Sequence, residues 1–357
     1  MELIRRDAEG KVVCWLESTA GYPALAMAQR KLGAGQLRTA PAELIDALPL
    51  AHDAVVVFRL DGGQAETIAR ALDMPLPAVT PSGYRLETRA LRGATVLVVV
   101  GGDLFGMLAG FADLCLHAEM AADGLYYRGG TRTETPAFPL RFYWTWDHST
   151  NWVLDDPGNQ VTGCQNRYLK RPETYVEDYR RLVDHCVEMR CNGLIIWGFL
   201  RHAHGGERDA YAVAQYAADH GVAILPGAGT TGYGGIYYEG AHPANLETYL
   251  AQHPERGNMG EDGQRSAREM SPYSPENQAW IARSLAWLYR TFPIGGVNLE
   301  NNDLMVDHSP RGRAERATID SGEADYFTDQ YFAYRTALEV ADRLAPQAWN
   351  TYATYSG

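Results

Sequence analysis

Two carboxylates at the end of a predicted strand are the residues best suited to catalysis. In the run GGVNLENND (295–303), an apolar strand ends at Glu300, and Asp303 follows three residues later in a polar turn. Apolar and aromatic neighbours can raise the pKa of such a carboxyl group and make it a general acid. Glycoside hydrolysis needs this acid and a second group that acts as base or nucleophile. We therefore predict Glu300 and Asp303 as catalytic residues; the alternative is that Glu300 caps a helix or pairs with Arg311 or Arg313.

A cluster of aromatic and polar residues surrounds the first predicted strand of the same region. The run RFYWTWDHSTNW (141–152) brings three tryptophans together with an aspartate and a histidine. Indole rings pack against the apolar faces of sugars, whereas carboxylate and imidazole groups bind the hydroxyls. The alternative is a stack of buried aromatic side chains. We predict four substrate contacts in this run: Arg141, Trp146, Asp147 and His148.

The loops after the next two strands supply three more candidate contacts. Trp197 and His204 lie in WGFLRHAH (197–204), and Tyr233 lies in a glycine-rich run after the third strand. His202 and His204 also have a metal-ligand spacing, but no further ligand has a defined position. We therefore expect sugar contacts here and no metal.

The glycine-rich run contains a motif that points to another class of ligand. GAGTTG (227–232) matches the G-x-G-x-x-G fingerprint of dinucleotide sites, which also requires a helix that opens at the motif. The chain continues as YGGIYYEG (233–240), which is too rich in glycine for a helix. We therefore predict an aromatic-bearing loop over a ligand and no nucleotide cofactor.

Alternating strands and helices must position these residues. Residues 1–130 predict a small α/β domain with a mixed sheet, and 131–139 predicts a linker. From residue 140 the chain repeats a strand followed by a helix, which indicates a parallel sheet with right-handed crossovers. Five strands are predicted in this part: Arg141–Trp146, Gly193–Phe199, Val222–Leu225, Gly296–Glu300 and Ala348–Tyr352.

Polar and aromatic residues at the carboxyl ends of apolar strands are typical of a (β/α)8 TIM barrel. A closed barrel needs eight strands, so we predict that residues 140–357 supply the first five strands of a longer barrel. The alternative is an open, doubly wound sheet. The predicted fold class is thus α/β, with a small mixed-sheet domain followed by an incomplete (β/α)8 barrel.

The composition narrows the class of protein. Of the 357 residues, 46% are hydrophobic and 21% charged, which indicates a packed globular core. The net charge of −12 repels phosphate backbones, so we expect no nucleic-acid partner. No apolar run reaches the roughly 18–20 residues of a membrane helix. No signal peptide is visible and the five cysteines lack a Cys-x-x-Cys spacing, so we expect a cytoplasmic protein with free thiols and no membrane partner.

The layout of the chain resembles that of two-part glycoside hydrolases, the family 20 β-N-acetylhexosaminidases and the family 67 α-glucuronidases. The stretch Thr95–Met120, a strand followed by GGD and LFGMLAG, resembles the last strand and helix of their accessory α/β domain. Glu300 falls where these families place their general acid. The resemblance implies an accessory domain at 1–130 and a catalytic barrel from 140 onward.

One position departs from the family 20 pattern. Family 20 carries an adjacent Asp-Glu pair, whereas Leu299 precedes Glu300 here. This difference argues against acetamido-assisted catalysis and leaves the substrate open.

These features lead to the hypothesis of an exo-acting glycosidase that binds a carbohydrate substrate and uses Glu300 as the acid. The base or nucleophile is Asp303, Asp147 or Glu239, or lies in strands beyond the five predicted. Two other classes stay open: a metal-dependent barrel hydrolase that uses His202 and His204, and a non-catalytic carbohydrate-binding protein.

Overall fold

The computed structural model describes residues 1–17, 21–33, 35–41, 52–146, 172–300, 306–318 and 326–353. The chain divides into two compact units. The first unit consists of Met1–Arg141, Val183–Asn192 and Asp219–Val222. The second consists of Phe142–Leu182, Gly193–Ala218 and Ala223–Gly357. The first unit thus includes two pieces of chain beyond residue 140, where the sequence predicts only the barrel.

The first unit is built on a mixed sheet. Its strands are β1 (Glu2–Arg5), β2 (Val12–Leu16), β3 (Leu37–Pro41), β4 (Ala54–Arg59), β5 (Tyr84–Leu91), β6 (Ala94–Gly101), β7 (Ala118–Met120), β8 (Gly124–Tyr127) and β9 (Arg132–Glu134). Its helices are α1 (Gly21–Leu32), α2 (Ala65–Ala71) and α3 (Leu104–His117). Six strands pair in the order β3-β2-β4-β6-β5-β9, with β5 and β9 antiparallel to their neighbours. Strands β1, β8 and β7 form a separate antiparallel sheet.

Apolar β-branched runs form the centre of the six-stranded sheet. Strands β4 and β6 pair in parallel from Ala54 opposite Val96 onward, and their side chains are almost all buried. Asp103 caps α3 by accepting a hydrogen bond from the backbone N–H of Gly106 at 2.7 Å, as the sequence predicts. Part of the predicted linker 131–139 belongs to this sheet, because β9 pairs with β5.

The second unit is built on a parallel sheet. Its strands are β10 (Phe142–Trp146), β11 (Gly193–Trp197), β12 (Ala223–Gly229), β15 (Gly296–Glu300) and β16 (Trp349–Ala353), and a hairpin is formed by β13 (Gly257–Met259) and β14 (Arg265–Met270). Its helices are α5 (Gly206–Asp219, whose last residue belongs to the first unit), α6 (Leu246–Gln252), α7 (Pro275–Thr291), α8 (Pro310–Ala317) and α9 (Tyr326–Leu344). Helix α4 (Tyr175–Glu188) is shared, with Tyr175–Leu182 in the second unit and Val183–Glu188 in the first.

All five predicted barrel strands are present and pair in parallel, in the order β10-β11-β12-β15-β16. Strands β11 and β15 are buried at every position, which is typical of parallel strands covered on both faces. The curled sheet is consistent with part of a TIM barrel. Within the described segments, no helix combines the length and the apolar character needed to cross a membrane.

Candidate active site

A hydrogen-bonded layer crosses the inner face of the parallel sheet. The indole of Trp197, at the end of β11, lies against Gly227 of β12, where a Cβ atom would come within 2.3 Å of the ring. Because glycine leaves this space open, the indole reaches across β12, and its Nε1–H donates to Asn298 Oδ1 of β15 at 3.2 Å. Asn298 Nδ2 in turn donates to Thr351 Oγ1 of β16 at 2.9 Å. Side chains of β11, β15 and β16 are thus connected across the glycine of β12.

Glu300 lies one step beyond this layer, at the carboxyl end of β15. Alternate residues of a strand share a face, so the Glu300 side chain is on the same face as that of Asn298. Glu300 is 1% exposed, and its backbone carbonyl accepts a hydrogen bond from Thr230 N at 2.9 Å. Its partners in register are Gly229 and Ala353, neither of which has a side chain beyond Cβ. The carboxyl group therefore sits in a buried position above an indole and an amide.

The glycine-rich loop after β12 folds back over the end of that strand. Gly229 N donates to Gly235 O at 3.0 Å, and a Cβ atom at Gly229 would come within 1.9 Å of Gly232 O. Tyr233 has a positive φ of 48°, a strained conformation for a residue other than glycine. Its ring packs edge-on against Trp197, with the centroids 5.9 Å apart. The loop does not open a helix at its glycine motif, in agreement with the predicted aromatic-bearing loop.

His204 occupies a packed interior position. Its imidazole is 2% exposed and stacks on the Tyr175 ring, with the centroids 3.6 Å apart. Nε2 is 2.9 Å from the carbonyl oxygen of Gly198, so this nitrogen carries the proton and donates it. Burial lowers the pKa of His204 to about 4, and the ring is neutral at pH 7. The imidazole thus holds the loop after β11, and the role of His204 as a sugar contact stays a prediction.

Arg141 is not brought to the edge of the sheet at which Glu300 lies. It directly precedes β10, whereas Glu300 is the last residue of β15, and parallel strands place these positions at opposite ends. The Arg141 backbone N–H donates to Asn192 Oδ1 at 2.9 Å, and its Nε–H donates to the carbonyl oxygen of Arg190 at 2.6 Å. The geometry therefore does not support the predicted role of Arg141 as a substrate contact alongside Glu300.

Several predicted site residues lie outside the described segments. Trp146 ends β10 in register with Trp197, but its side chain is not described. Asp147, His148 and Asp303 fall in undescribed ranges. Their roles stay predictions.

Glu239, the third candidate for the second catalytic group, is 54% exposed and forms a 3.2 Å ion pair with Arg201. The guanidinium of Arg201 also packs over the ring of Tyr238 at 4.7 Å. These contacts make Glu239 a structural partner of Arg201.

A buried polar cluster anchors the chain downstream of Glu300, and sequence reasoning missed it. Asp307 is 0% exposed and accepts hydrogen bonds from the backbone N–H groups of Met259 and Ser309 and from the hydroxyl groups of Ser271 and Ser309. Arg316 donates to Asp307 O at 2.8 Å. Ser309-Pro310 is a helix-start signal that marks this segment in the sequence. The cluster holds the segment after β15 against the β13–β14 hairpin.

The predicted metal spacing does not form a metal site in the part of the chain that the structure describes. No group of three or more His, Cys, Asp or Glu side chains converges there. His202 is exposed and packs edge-on against Tyr237, whereas His204 is committed to Gly198. The alternative of a metal-dependent hydrolase thus gains no support from the two histidines.

Known structures share the fold of this chain. A β-N-acetylhexosaminidase from Bacteroides fragilis matches with a TM-score of 0.61 and 12% identity over 98% of this chain and 64% of its own. A family 20 exo-β-N-acetylglucosaminidase from Vibrio harveyi, in complex with N-acetylglucosamine, matches with a TM-score of 0.58 and 12% identity. The match covers 99% of this chain and 52% of that protein. A chitobiase from Flavobacterium johnsoniae matches with a TM-score of 0.60 and 11% identity, over 98% of this chain and 51% of that protein.

At these identities the similarity establishes the fold, a mixed α/β arrangement like that of family 20 TIM-barrel enzymes. The chain spans about half to two thirds of the length of these solved structures. No protein-family model matches the sequence, and no curated protein is significantly similar to it. The resemblance to family 20 is thus supported at the level of fold, and the resemblance to family 67 stays a prediction.

Proposed function

We propose that the protein is a glycoside hydrolase, exo-acting, in which Glu300 is the general acid. The observation that carries this proposal is the place of one carboxyl group: Glu300 is buried at the carboxyl end of a parallel strand, on the inner face, above the Trp197–Asn298 layer. In TIM-barrel enzymes chemistry occurs at this end of the strands. The folds of the three hexosaminidase-type enzymes described above agree with this assignment.

The chemistry follows from the surroundings of the carboxyl group. Burial in general favours the neutral form of a carboxylic acid, which is the form that can protonate a leaving glycosidic oxygen. A second group must then stabilise or attack the developing oxocarbenium ion. Leu299 is fully buried and apolar, so the residue before Glu300 cannot provide this group. We assign it to Asp303, with Asp147 as the alternative.

The first substrates to test are N-acetyl-β-D-hexosaminides, because the solved structures of the same fold are named as enzymes that act on these sugars. Tyr233 is half-buried at the end of β12, and an aromatic ring of this kind can pack against a sugar. Trp197 is 1% exposed and supports the Tyr233 ring from below. The α-glucuronides form the comparison class, because the sequence also resembles family 67.

The test is Glu300→Gln in the protein expressed from its complete gene. Substrates with poor leaving groups, such as N,N′-diacetylchitobiose, should lose roughly 10²–10⁴-fold in kcat/KM, because they depend on protonation. Activated 4-nitrophenyl glycosides should lose much less. The matched control is Glu247→Gln, a 61% exposed glutamate that pairs with the exposed Arg268, which should leave both rates nearly unchanged.

Two results would count against the assignment. Equal and small losses on both kinds of substrate would remove Glu300 as the acid. Oligosaccharide binding that is unchanged in Glu300→Gln, with no hydrolysis by either protein, would instead favour a non-catalytic carbohydrate-binding protein.

A further inference from the structure

A second concave site lies in the unit that carries Glu300, away from the strands of its sheet. Helices α6 and α7 and the loop 241–244 enclose about 650 Å³, and we call this site the α6–α7 groove. Its volume falls within the range of about 300–1,000 Å³ that is usual for small-ligand sites. The side chains that define it are His242, Tyr249, Gln252, Trp280, Arg283 and Trp287. None of its lining residues belongs to the sheet strands, so it is separate from the proposed catalytic position.

One stripe of α7 forms the aromatic wall of the groove. Trp280, Arg283 and Trp287 lie at positions i, i+3 and i+7 of the helix, which share a face. Trp280 is 3% exposed, stacks on Tyr249 with the centroids 5.1 Å apart, and donates its Nε1–H to Pro243 O at 2.9 Å. Trp287 is only half-buried and leans on His242, with the centroids 4.5 Å apart. Trp287 therefore presents the indole surface that a ligand can reach.

The rim of the groove carries hydrogen-bond donors that the described part of the protein does not use. Arg283 and Gln252 are exposed and form no hydrogen bond or ion pair with other described residues. The nearby acidic groups are already matched, because Arg256 forms ion pairs with Glu255 and Glu276 at 3.3 and 2.7 Å. A guanidinium and an amide thus stand beside an accessible indole.

We propose that the α6–α7 groove binds a pyranose unit of an oligosaccharide, with the apolar sugar face on Trp287 and hydroxyl groups on Arg283 and Gln252. An indole face flanked by polar donors matches a ligand that is apolar on one side and hydroxylated at its edge. A purely apolar ligand would leave the guanidinium unmatched. A polyphosphate would find one arginine, Arg283, among the described lining residues of the groove, on a chain of net charge −12. An amphipathic helix would need more apolar surface than one indole, because Tyr249 covers Trp280.

The choice of an oligosaccharide as ligand rests on the proposed glycosidase function. The test therefore measures binding to the groove and hydrolysis at Glu300 separately. Binding is measured by native gel electrophoresis in gels that contain glycol chitin, xylan or a soluble β-glucan. Hydrolysis of a 4-nitrophenyl monosaccharide glycoside is measured in parallel. One of the three polysaccharides should retard the protein, and Trp287→Ala and Arg283→Ala should each weaken that retardation at least fivefold. The rate on the small glycoside should stay within twofold.

Two control variants guard against loss of fold and against non-specific effects. Arg290→Ala removes an exposed arginine of the same helix, and Tyr211→Ala removes a 46% exposed aromatic on α5. Both should be retarded like the unchanged protein. Retardation that does not depend on Trp287 or Arg283, or no retardation by any of the three polysaccharides, overturns the groove assignment even if the small glycoside is hydrolysed. Retardation that depends on both residues supports the groove even if no glycoside is hydrolysed.

Discussion

The contact between Trp197 and Gly227 allows the hydrogen-bonded layer beneath Glu300 to be tested by adding a single methyl group. In Gly227→Ala, the added Cβ atom would lie 2.3 Å from the indole, well inside van der Waals distance. The ring must move, and its hydrogen bond to Asn298 must lengthen or break. Overpacking of a core costs about 1–3 kcal/mol, and a buried donor left without its acceptor costs a similar amount. We therefore expect the free energy of unfolding to fall by roughly 2–6 kcal/mol.

Denaturant unfolding followed by tryptophan fluorescence measures this change in the right part of the molecule. Seven of the eight tryptophans belong to chain segments of the second unit, and only Trp15 belongs to the first. The matched control is Gly63→Ala, where an added Cβ atom meets nothing within 4 Å. Its stability should stay within about 1 kcal/mol of the unchanged protein. If Gly227→Ala is as stable as Gly63→Ala, the indole is not held across β12 and the layer beneath Glu300 does not exist as described.

Two further predictions concern the pH dependence and the buried cluster. The folded protein holds the pKa of His204 at about 4, below its ordinary value of 6.5, so the unfolded chain takes up this proton first. About 3 kcal/mol of stability is therefore fully present above pH 6.5 and is lost as the pH falls toward 4. In urea unfolding between pH 7 and pH 4, His204→Gln should reduce this dependence of the free energy of unfolding on pH. An unchanged pH dependence, or an equal effect of the exposed His202→Gln, would contradict the prediction. Asp307→Asn places an amide N–H₂ among N–H and O–H donors, and thermal unfolding should report a loss of roughly 3 kcal/mol. Asp262→Asn, in an exposed turn, should change the thermal stability little. Similar losses of stability in the two variants would show that the Asp307 cluster does not stabilise the fold more than an exposed turn does.

The carboxyl-end position of Glu300 could be predicted because its strand is marked on both sides. Two glycines precede the apolar run and a polar run follows it, and β15 begins and ends at the predicted residues, Gly296 and Glu300. Period-two alternation then places Asn298 on the same face as Glu300. The sequence therefore predicts the order of the two side chains along this face of β15, with the Asn298 amide one step before the Glu300 carboxyl group.

The positions of Arg141 and His204 could not be predicted in the same way. The sequence places Arg141 inside the first strand, but β10 begins one residue later, and one residue decides whether a side chain belongs to the strand or to the turn before it. His204 follows a strand end, which suggests a site, but a chain reversal at Gly198 (φ 78°) brings a backbone carbonyl to its ring. Such a partner depends on tertiary structure and leaves no local pattern.

If Glu300 is the acid, as proposed, its catalytic partner must come from outside the described strands next to it. Leu299 faces the opposite side of β15, and Glu239 is held in an exposed ion pair. Asp303 is three residues beyond Glu300, a chain length of at most about 10–11 Å, which covers the carboxyl separations of about 5–5.5 Å for retaining and 6.5–9.5 Å for inverting glycosidases. The far end of the same connection is fixed at Asp307, whose carboxylate accepts hydrogen bonds from Met259 N and Ser271 Oγ and whose backbone N–H donates to Asp329. We therefore take Asp303, in the connection between Glu300 and Asp307, as the proposed partner of Glu300.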